Sequence, residues 1–280
     1  MRIPHYDPAL SEPYCSAFVS SSLWVALTLH DSEQMDLGVS EESITDFLLL
    51  RLGMSLKNKI VIKKFSRQDE SKTGADWEWW FVDDSKVFGL RVQAKRLKTD
   101  GKQRCYRELK SGQAKKLIQR AESERPACFP IYCFYNPPIF PDLFWQPDCW
   151  LAMMPGPCGC TIADARFVQK ALTAGKKDLA TILPGSCPLW CLVCCCRSWI
   201  SQPVKGIADV AAAAALNIQK RAQDAAGSQE LPYEPGPVPE AISRDRLPRY
   251  VSRLMNPDLK EEPMEEPIGL QGVVVFSGQG

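Results

Sequence analysis

The sequence predicts a mixed α/β fold whose core runs helix, three strands, helix, strand over residues 41–138. Three observations carry this. A capped amphipathic helix begins at Glu41. Alternating runs at 59–65, 76–82 and 87–94 follow, with polar turns between them. A second amphipathic helix at 111–124 then leads into an apolar run at 127–135. Residues 1–40 read as an N-terminal extension. Residues 139–280 read as a helical, cysteine-rich C-terminal elaboration that completes or flanks the core.

Each element has a local reason. Phe18 to Leu29 is apolar enough for a short helix or a packed strand. Ser40 can cap the helix that follows, Glu41 and Glu42 lie in its first turn, and Ile44, Phe47, Leu48 and Leu52 mark its apolar side. In Lys59–Phe65, Ile60 and Ile62 share one face and Val61 takes the other. Ser66 to Gly74 is a polar loop, and Asp83-Asp84-Ser85 is a turn. The first three strands are close enough in sequence for antiparallel hairpins. Ser111–Glu124 sets Ala114, Leu117, Ile118 and Ala121 against Lys115, Lys116 and Arg120. Asn136-Pro137-Pro138 should end the fourth strand.

Beyond it the expectations are coarser. They are a strand at Trp145–Met154, a helix at Thr161–Ala174 and a buried strand near Leu189–Val193. A long alanine-rich helix is expected at Val204–Ala226, a connecting loop at 227–239 and a helix at Arg246–Leu254. The acidic, proline-bearing stretch Pro257–Pro267 reads as a mobile loop. Val273–Phe276 reads as a short strand pairing with an edge of the sheet.

The formal net charge is only +1, but it is unevenly spread. From Lys57 to Arg120 there are 18 Lys and Arg against 8 Asp and Glu. A basic segment of this kind suits a polyanionic partner. No apolar run approaches the ~18 residues that span a bilayer, and the N-terminus lacks the pattern of a secretory leader. A cytoplasmic protein without membrane association is expected, with its 12 cysteines mostly as reduced thiols.

The candidate site lies across the second and third strands. Alternation places Asp76, Glu78 and Trp80 on one face of the second. On the third it places Arg91, Gln93 and Lys95 opposite Leu90, Val92 and Ala94, so Gln93 and Lys95 should point away from the packed layer into a polar crevice. Asp76, the Ala94 carbonyl and the Gln93 amide oxygen form a hard-oxygen set suited to Mg²⁺ or Mn²⁺. Lys95 can position the attacking water and offset charge on a phosphorane-like transition state. Glu70, in the preceding loop, can bind a second metal or a metal-bound water. Trp77 and Trp79 read as core, whereas Trp80 is open between core and base stacking.

Asp76 together with Val92-Gln93-Ala94-Lys95-Arg96 resembles the motif of the PD-(D/E)XK nuclease superfamily, in the Gln-containing form of the Mrr-like restriction endonuclease branch. The order of elements over 41–138 is similar to that superfamily's core. The resemblance implies a restriction-endonuclease-like core and a metal-dependent endodeoxyribonuclease acting in restriction or anti-phage defence. Its partners would be DNA and a second copy of the chain. Asp76, Gln93, Lys95 and Glu70 would be catalytic, and Asp76, Gln93, Ala94 and Glu70 would hold metal. Glu78 is a further candidate, and Glu42 or Asp46 would match the superfamily's first-helix Glu. Two departures stand: Ala75, not Pro, precedes Asp76, and Gln93 replaces the commoner acidic residue.

Two other readings follow from the residues. One is a nucleic-acid-binding module that keeps the fold without the activity. The other is an interaction protein organised by Zn²⁺ on Cys158-x-Cys160 and Cys187-x3-Cys191-x2-Cys194. Against zinc, the apolar neighbours of these cysteines suit thiols that pack as small hydrophobes. With only His5 and His30 present, a Ser–His–Asp or Cys–His hydrolase is disfavoured.

Overall fold

The computed structural model describes residues 8–65, 75–100, 103–139, 158–194, 206–256 and 270–278. The chain opens with α1 (Pro8–Gln34) and α2 (Glu41–Leu56), then β1 (Ile60–Lys64), β2 (Trp77–Val82) and β3 (Lys86–Arg96). A small hairpin, β4 (Lys98–Asp100) with β5 (Gln103–Cys105), precedes α3 (Ser111–Ser123) and β6 (Phe129–Ile139). Next come β7 (Cys158–Asp164), α4 (Ala165–Thr173), α5 (Leu179–Ile182), β8 (Ser186–Pro188) and α6 (Ile207–Ser228). The chain closes with β9 (Ile242–Ser243), α7 (Arg249–Met255) and β10 (Gly272–Ser277).

Seven strands follow the order β1-β10-β2-β3-β6-β7-β8, and the short β9 pairs with β3. The sheet is mixed: β10 runs parallel to β2 and β6 parallel to β3, while the other neighbours are antiparallel. This corrects two expectations. The terminal strand does not join an edge but lies between β1 and β2, which therefore do not form a hairpin. A valine run, Val273-Val274-Val275, suits that interior place because a strand covered on both faces has no polar side.

Alternation along the central strands feeds two cores. Trp77, Trp79, Phe81, Leu90, Val92 and Ala94 face α1, α2 and the first half of α6. Trp80, Val82 and Val87 face α3, α4, α7 and the last turns of α6. The sheet is thus the middle of three layers. The polar crevice expected beside Gln93 and Lys95 is in fact roofed by this second layer, and both side chains are buried. Trp80 is core as well; its ring packs on Gly89, where an added Cβ would lie 2.8 Å from it.

Other differences have local causes. Helix α1 extends well beyond the apolar run at 18–29 and lies so close to β7 that a Cβ on Gly159 would meet the Ser22 carbonyl at 2.3 Å. The Ser22 hydroxyl accepts from the N–H groups of Gly159 and Cys160 at 3.2 and 3.0 Å. Helix α2 is capped by Ser40, as expected, but buries Leu49 rather than Phe47, which is 51% exposed and meets Trp24 edge-on. Strand β6 continues through Asn136-Pro137-Pro138. The prolines fall where the pairing with β7 shifts register, so their missing N–H groups cost no ladder bonds. Asn136 is held there by the Tyr106 hydroxyl at 2.7 Å and by Thr161 at 3.2 Å.

The expected helix at 161–174 begins only at Ala165, after β7. Asp164 caps it by accepting from the Arg166 N–H at 2.7 Å. Leu189–Leu192 forms a 3₁₀ turn, not a strand. The expected strand at 145–154 and the loops at 66–74 and 257–267 lie outside the described residues. Among those residues no helix is long and apolar enough to cross a membrane.

Candidate functional site

Asp76 stands at the entrance to β2. Its N–H donates to the Val92 carbonyl at 2.9 Å and its carbonyl accepts from the Gln271 N–H at 2.7 Å, so β3 and the approach to β10 fix its backbone from both sides. Its side chain meets the far end of β3. Oδ2 accepts from Gln93 Nε2 at 2.5 Å and from the Ala94 N–H at 2.8 Å. Gln93 Nε2 also lies 3.2 Å from the Ala94 carbonyl, and Gln93 Oε1 accepts from Gln113 Nε2 at 2.8 Å. Gln113 sits in the first turn of α3, so that helix delivers an amide to the site.

One step further along β3, Lys95 Nζ donates to Glu41 Oε1 at 3.0 Å, and the Arg96 N–H donates to Glu41 Oε2 at 3.0 Å. Glu41 is the first residue of α2, where Ser40 caps the helix by accepting from the Ser43 N–H at 3.0 Å. The cap fixes where the helix starts and hence where Glu41 points.

The structure therefore brings together Asp76, Gln93, Ala94 and Lys95 from the sequence-derived set and adds Glu41 and Gln113. It does not bring in Glu42, which is exposed, nor Asp46, which pairs with Lys64 at 2.8 Å on the surface. Glu78 is committed elsewhere: it accepts from Arg91 Nη2 at 2.7 Å, from Trp80 Nε1 at 3.1 Å and from the Tyr250 hydroxyl. Glu70 lies outside the described residues. Gln93 presents its NH₂ rather than its oxygen to Asp76, the reverse of the expected ligand orientation; a half-turn of the amide exchanges the two.

The electrostatics of the cluster are those of acids short of cations. Burial pushes the Asp76 carboxyl up to about 7. Lys95 and the Ala94 N–H oppose this, while Glu41 adds to it. Burial also raises Glu41, again with Lys95 opposing. One ammonium serves two carboxylates in a site that excludes much of the solvent. Among the described residues both hydrogen bonds to Asp76 go to Oδ2. Asp76 Oδ1, the Ala94 carbonyl and Glu41 offer oxygen atoms, the donor type that a hard divalent cation takes. Among the described residues no group of three or more His, Cys, Asp or Glu is placed to hold a metal ion.

Of the cysteines whose spacing suggested zinc, Cys158, Cys160, Cys187, Cys191 and Cys194 are all buried. Cys194 is disulfide-bonded to Cys15 and is not available as a thiolate. The same bond is an exception to the expectation of reduced thiols. Seven other described cysteines are buried and take no part in that disulfide. Burial raises Cys158 to about 12, which disfavours the thiolate that zinc needs.

No curated protein matches the chain. The model of a family of unknown function (DUF6615) matches residues 14–280, and the chain belongs to that family.

Proposed function

We propose that this protein is a divalent-metal-dependent nuclease that hydrolyses DNA phosphodiester bonds on a restriction-endonuclease-like core. The observation that carries the reading is the convergence of Asp76, Gln93, Ala94 and Lys95, joined by Glu41 from the first helix, at one end of the β2–β3 pair. The elements around them support it: a helix before the hairpin, then α3, then β6 parallel to β3. Strand β10 lies between β1 and β2.

In this reading Asp76 and the Ala94 carbonyl would hold Mg²⁺ or Mn²⁺, with Glu41 close by. The cation would supply Lewis acidity at the scissile phosphate. Lys95 orients the attacking water and offsets charge developing on the phosphoryl oxygens. Glu41 fixes the Lys95 ammonium, and Gln113 fixes Gln93. Exposed Arg104, Arg107, Lys110 and Lys115, on β5, α3 and the segment between them, offer cationic contacts to the DNA backbone. The biological role that goes with this reading is restriction or anti-phage defence.

Supercoiled plasmid incubated with Mg²⁺ or Mn²⁺ tests the proposal. We expect nicking or linearisation by the wild type and a loss of about 10²-fold or more in Asp76→Ala and Lys95→Ala, the scale of removing one preorganised charge-stabilising group. Cleavage that survives both substitutions contradicts it. A second reading, a DNA-binding module without catalysis, is favoured by the NH₂ of Gln93 facing Asp76. It would show as salt-sensitive DNA binding with no cleavage in either metal.

A further inference from the structure

Tyr132 lies on β6, where it is the register partner of Gln93 on the adjacent parallel strand. Neighbours at one register position of parallel strands point to the same side of the sheet, so Tyr132 shares the face of Gln93 and Lys95. Its ring is fixed, stacking on Phe134 at 5.7 Å with 11° between the planes, and Phe134 in turn packs on Tyr106 at 4.3 Å. The residue is fully buried, yet its hydroxyl has no hydrogen-bond partner among the described residues.

That orphan is informative because of where it sits. Leaving a buried hydroxyl unpaired costs about 1–3 kcal/mol, and Phe at this position would avoid the cost. Burial, together with the Asp76 and Glu41 carboxylates, raises the phenol further above its ordinary range, so it stays protonated and acts as a donor. It feels both carboxylates but hydrogen-bonds to neither. A donor on this face without a protein partner can be paired by an oxygen that arrives with a ligand. Arg91 Nη1, on the same face of β3, also lacks a partner among the described residues, but its guanidinium is committed to Glu78 at 2.7 Å, whereas the Tyr106 hydroxyl is satisfied by Asn136 at 2.7 Å.

We propose that Tyr132 is a further positioning residue of the site, its hydroxyl donating to a water oxygen of the hydrated divalent cation held by Asp76. This rests on the metal-site reading above and adds to it an outer-sphere contact from β6. The hydroxyl would orient that water and favour occupancy, while costing stability in the metal-free protein.

Calorimetric titration with Mn²⁺ alone, paired with thermal unfolding of the metal-free protein, tests this on wild type, Tyr132→Phe and Tyr106→Phe. Tyr132→Phe should bind Mn²⁺ about 10–100-fold more weakly, the usual scale for losing an outer-shell contact. Its metal-free melting temperature should equal or exceed that of the wild type. Tyr106→Phe, which loses a satisfied hydrogen bond, should melt lower and bind Mn²⁺ as the wild type does. Wild-type Mn²⁺ affinity in Tyr132→Phe overturns the role of the hydroxyl while leaving the metal site in place. A wild-type protein that takes up no Mn²⁺ overturns the metal-site reading and this inference with it.

Discussion

Asp76 is costly to the metal-free fold. Burial pushes its carboxyl up to about 7 from an ordinary value of 3.8, so between those values the folded state holds a proton that the unfolded state has released. Stability from this group therefore falls as pH rises from about 4 to about 7 and stays low above that. Asp76→Asn should raise the metal-free melting temperature at pH 8, by roughly 2–4 °C for each kcal/mol recovered, and the gain should vanish by pH 4. The same variant should lose Mn²⁺ binding. A melting temperature that drops equally at both pH values would contradict this account of the carboxyl.

Glu41 gives a second residue-scale expectation. Glu41→Gln should cut cleavage about 10-fold or more, since it weakens the hold on Lys95 and removes a carboxylate from the metal's reach. Glu42→Gln, one position along the helix and exposed, should stay within about 2-fold of wild type, close to the small effects usual for surface changes. Equal losses in paired plasmid assays would break the assignment. Asp76, Gln93, Ala94 and Lys95 were legible in the sequence because strand alternation fixes which residues meet across a hairpin. The choice of Glu41 over Glu42 was not, because both occupy the first turn of a capped helix and only its docking separates them. Gln113, which donates to Gln93 at 2.8 Å, carries no local pattern that marks it as part of the cluster.

At the scale of elements, the site depends on β10 as much as on the hairpin. The Gln271 N–H holds the Asp76 carbonyl, and the Gln271 carbonyl accepts from the Phe65 N–H at 2.8 Å. Phe276 anchors this strand, its ring lying 5.0 Å from Phe81, 5.4 Å from Phe18 and 5.9 Å from Trp79. Phe276→Ala should destabilise by about 3–5 kcal/mol, read as a lower urea midpoint, and it should take cleavage down with the folded fraction. A midpoint shift below about 1 kcal/mol would mean that β10 is not the clamp its position suggests. The helices and strands of 41–138 were legible from periodicity and capping. The place of β10 was not, because a short apolar strand states only that it is buried on both faces. Which two strands it separates is settled by the path of a chain that returns to β2 about 190 residues later. Strand β7 was misread for a related reason: Thr161-Ile162-Ala163-Asp164 runs straight into a helix, and Asp164 ends one element while capping the next.

Over the whole molecule, the N- and C-terminal halves share one sheet and two cores. The Cys15–Cys194 disulfide ties α1 to the turn after β8, and α1 packs across β6 and β7. The segment from Lys57 to Arg120 carries 18 Lys and Arg against 8 Asp and Glu. A segment of this charge draws a polyanion. The most direct measurement is a crystal structure with Mn²⁺ and a short DNA duplex, the metal located by its anomalous scattering. We expect Mn²⁺ about 2.0–2.3 Å from an Asp76 carboxylate oxygen and from the Ala94 carbonyl, by the bond lengths of hard cations to oxygen, with a DNA phosphate beside Lys95. Manganese bound elsewhere, or absent while DNA occupies the basic face, would contradict a metal-dependent nuclease centred on Asp76.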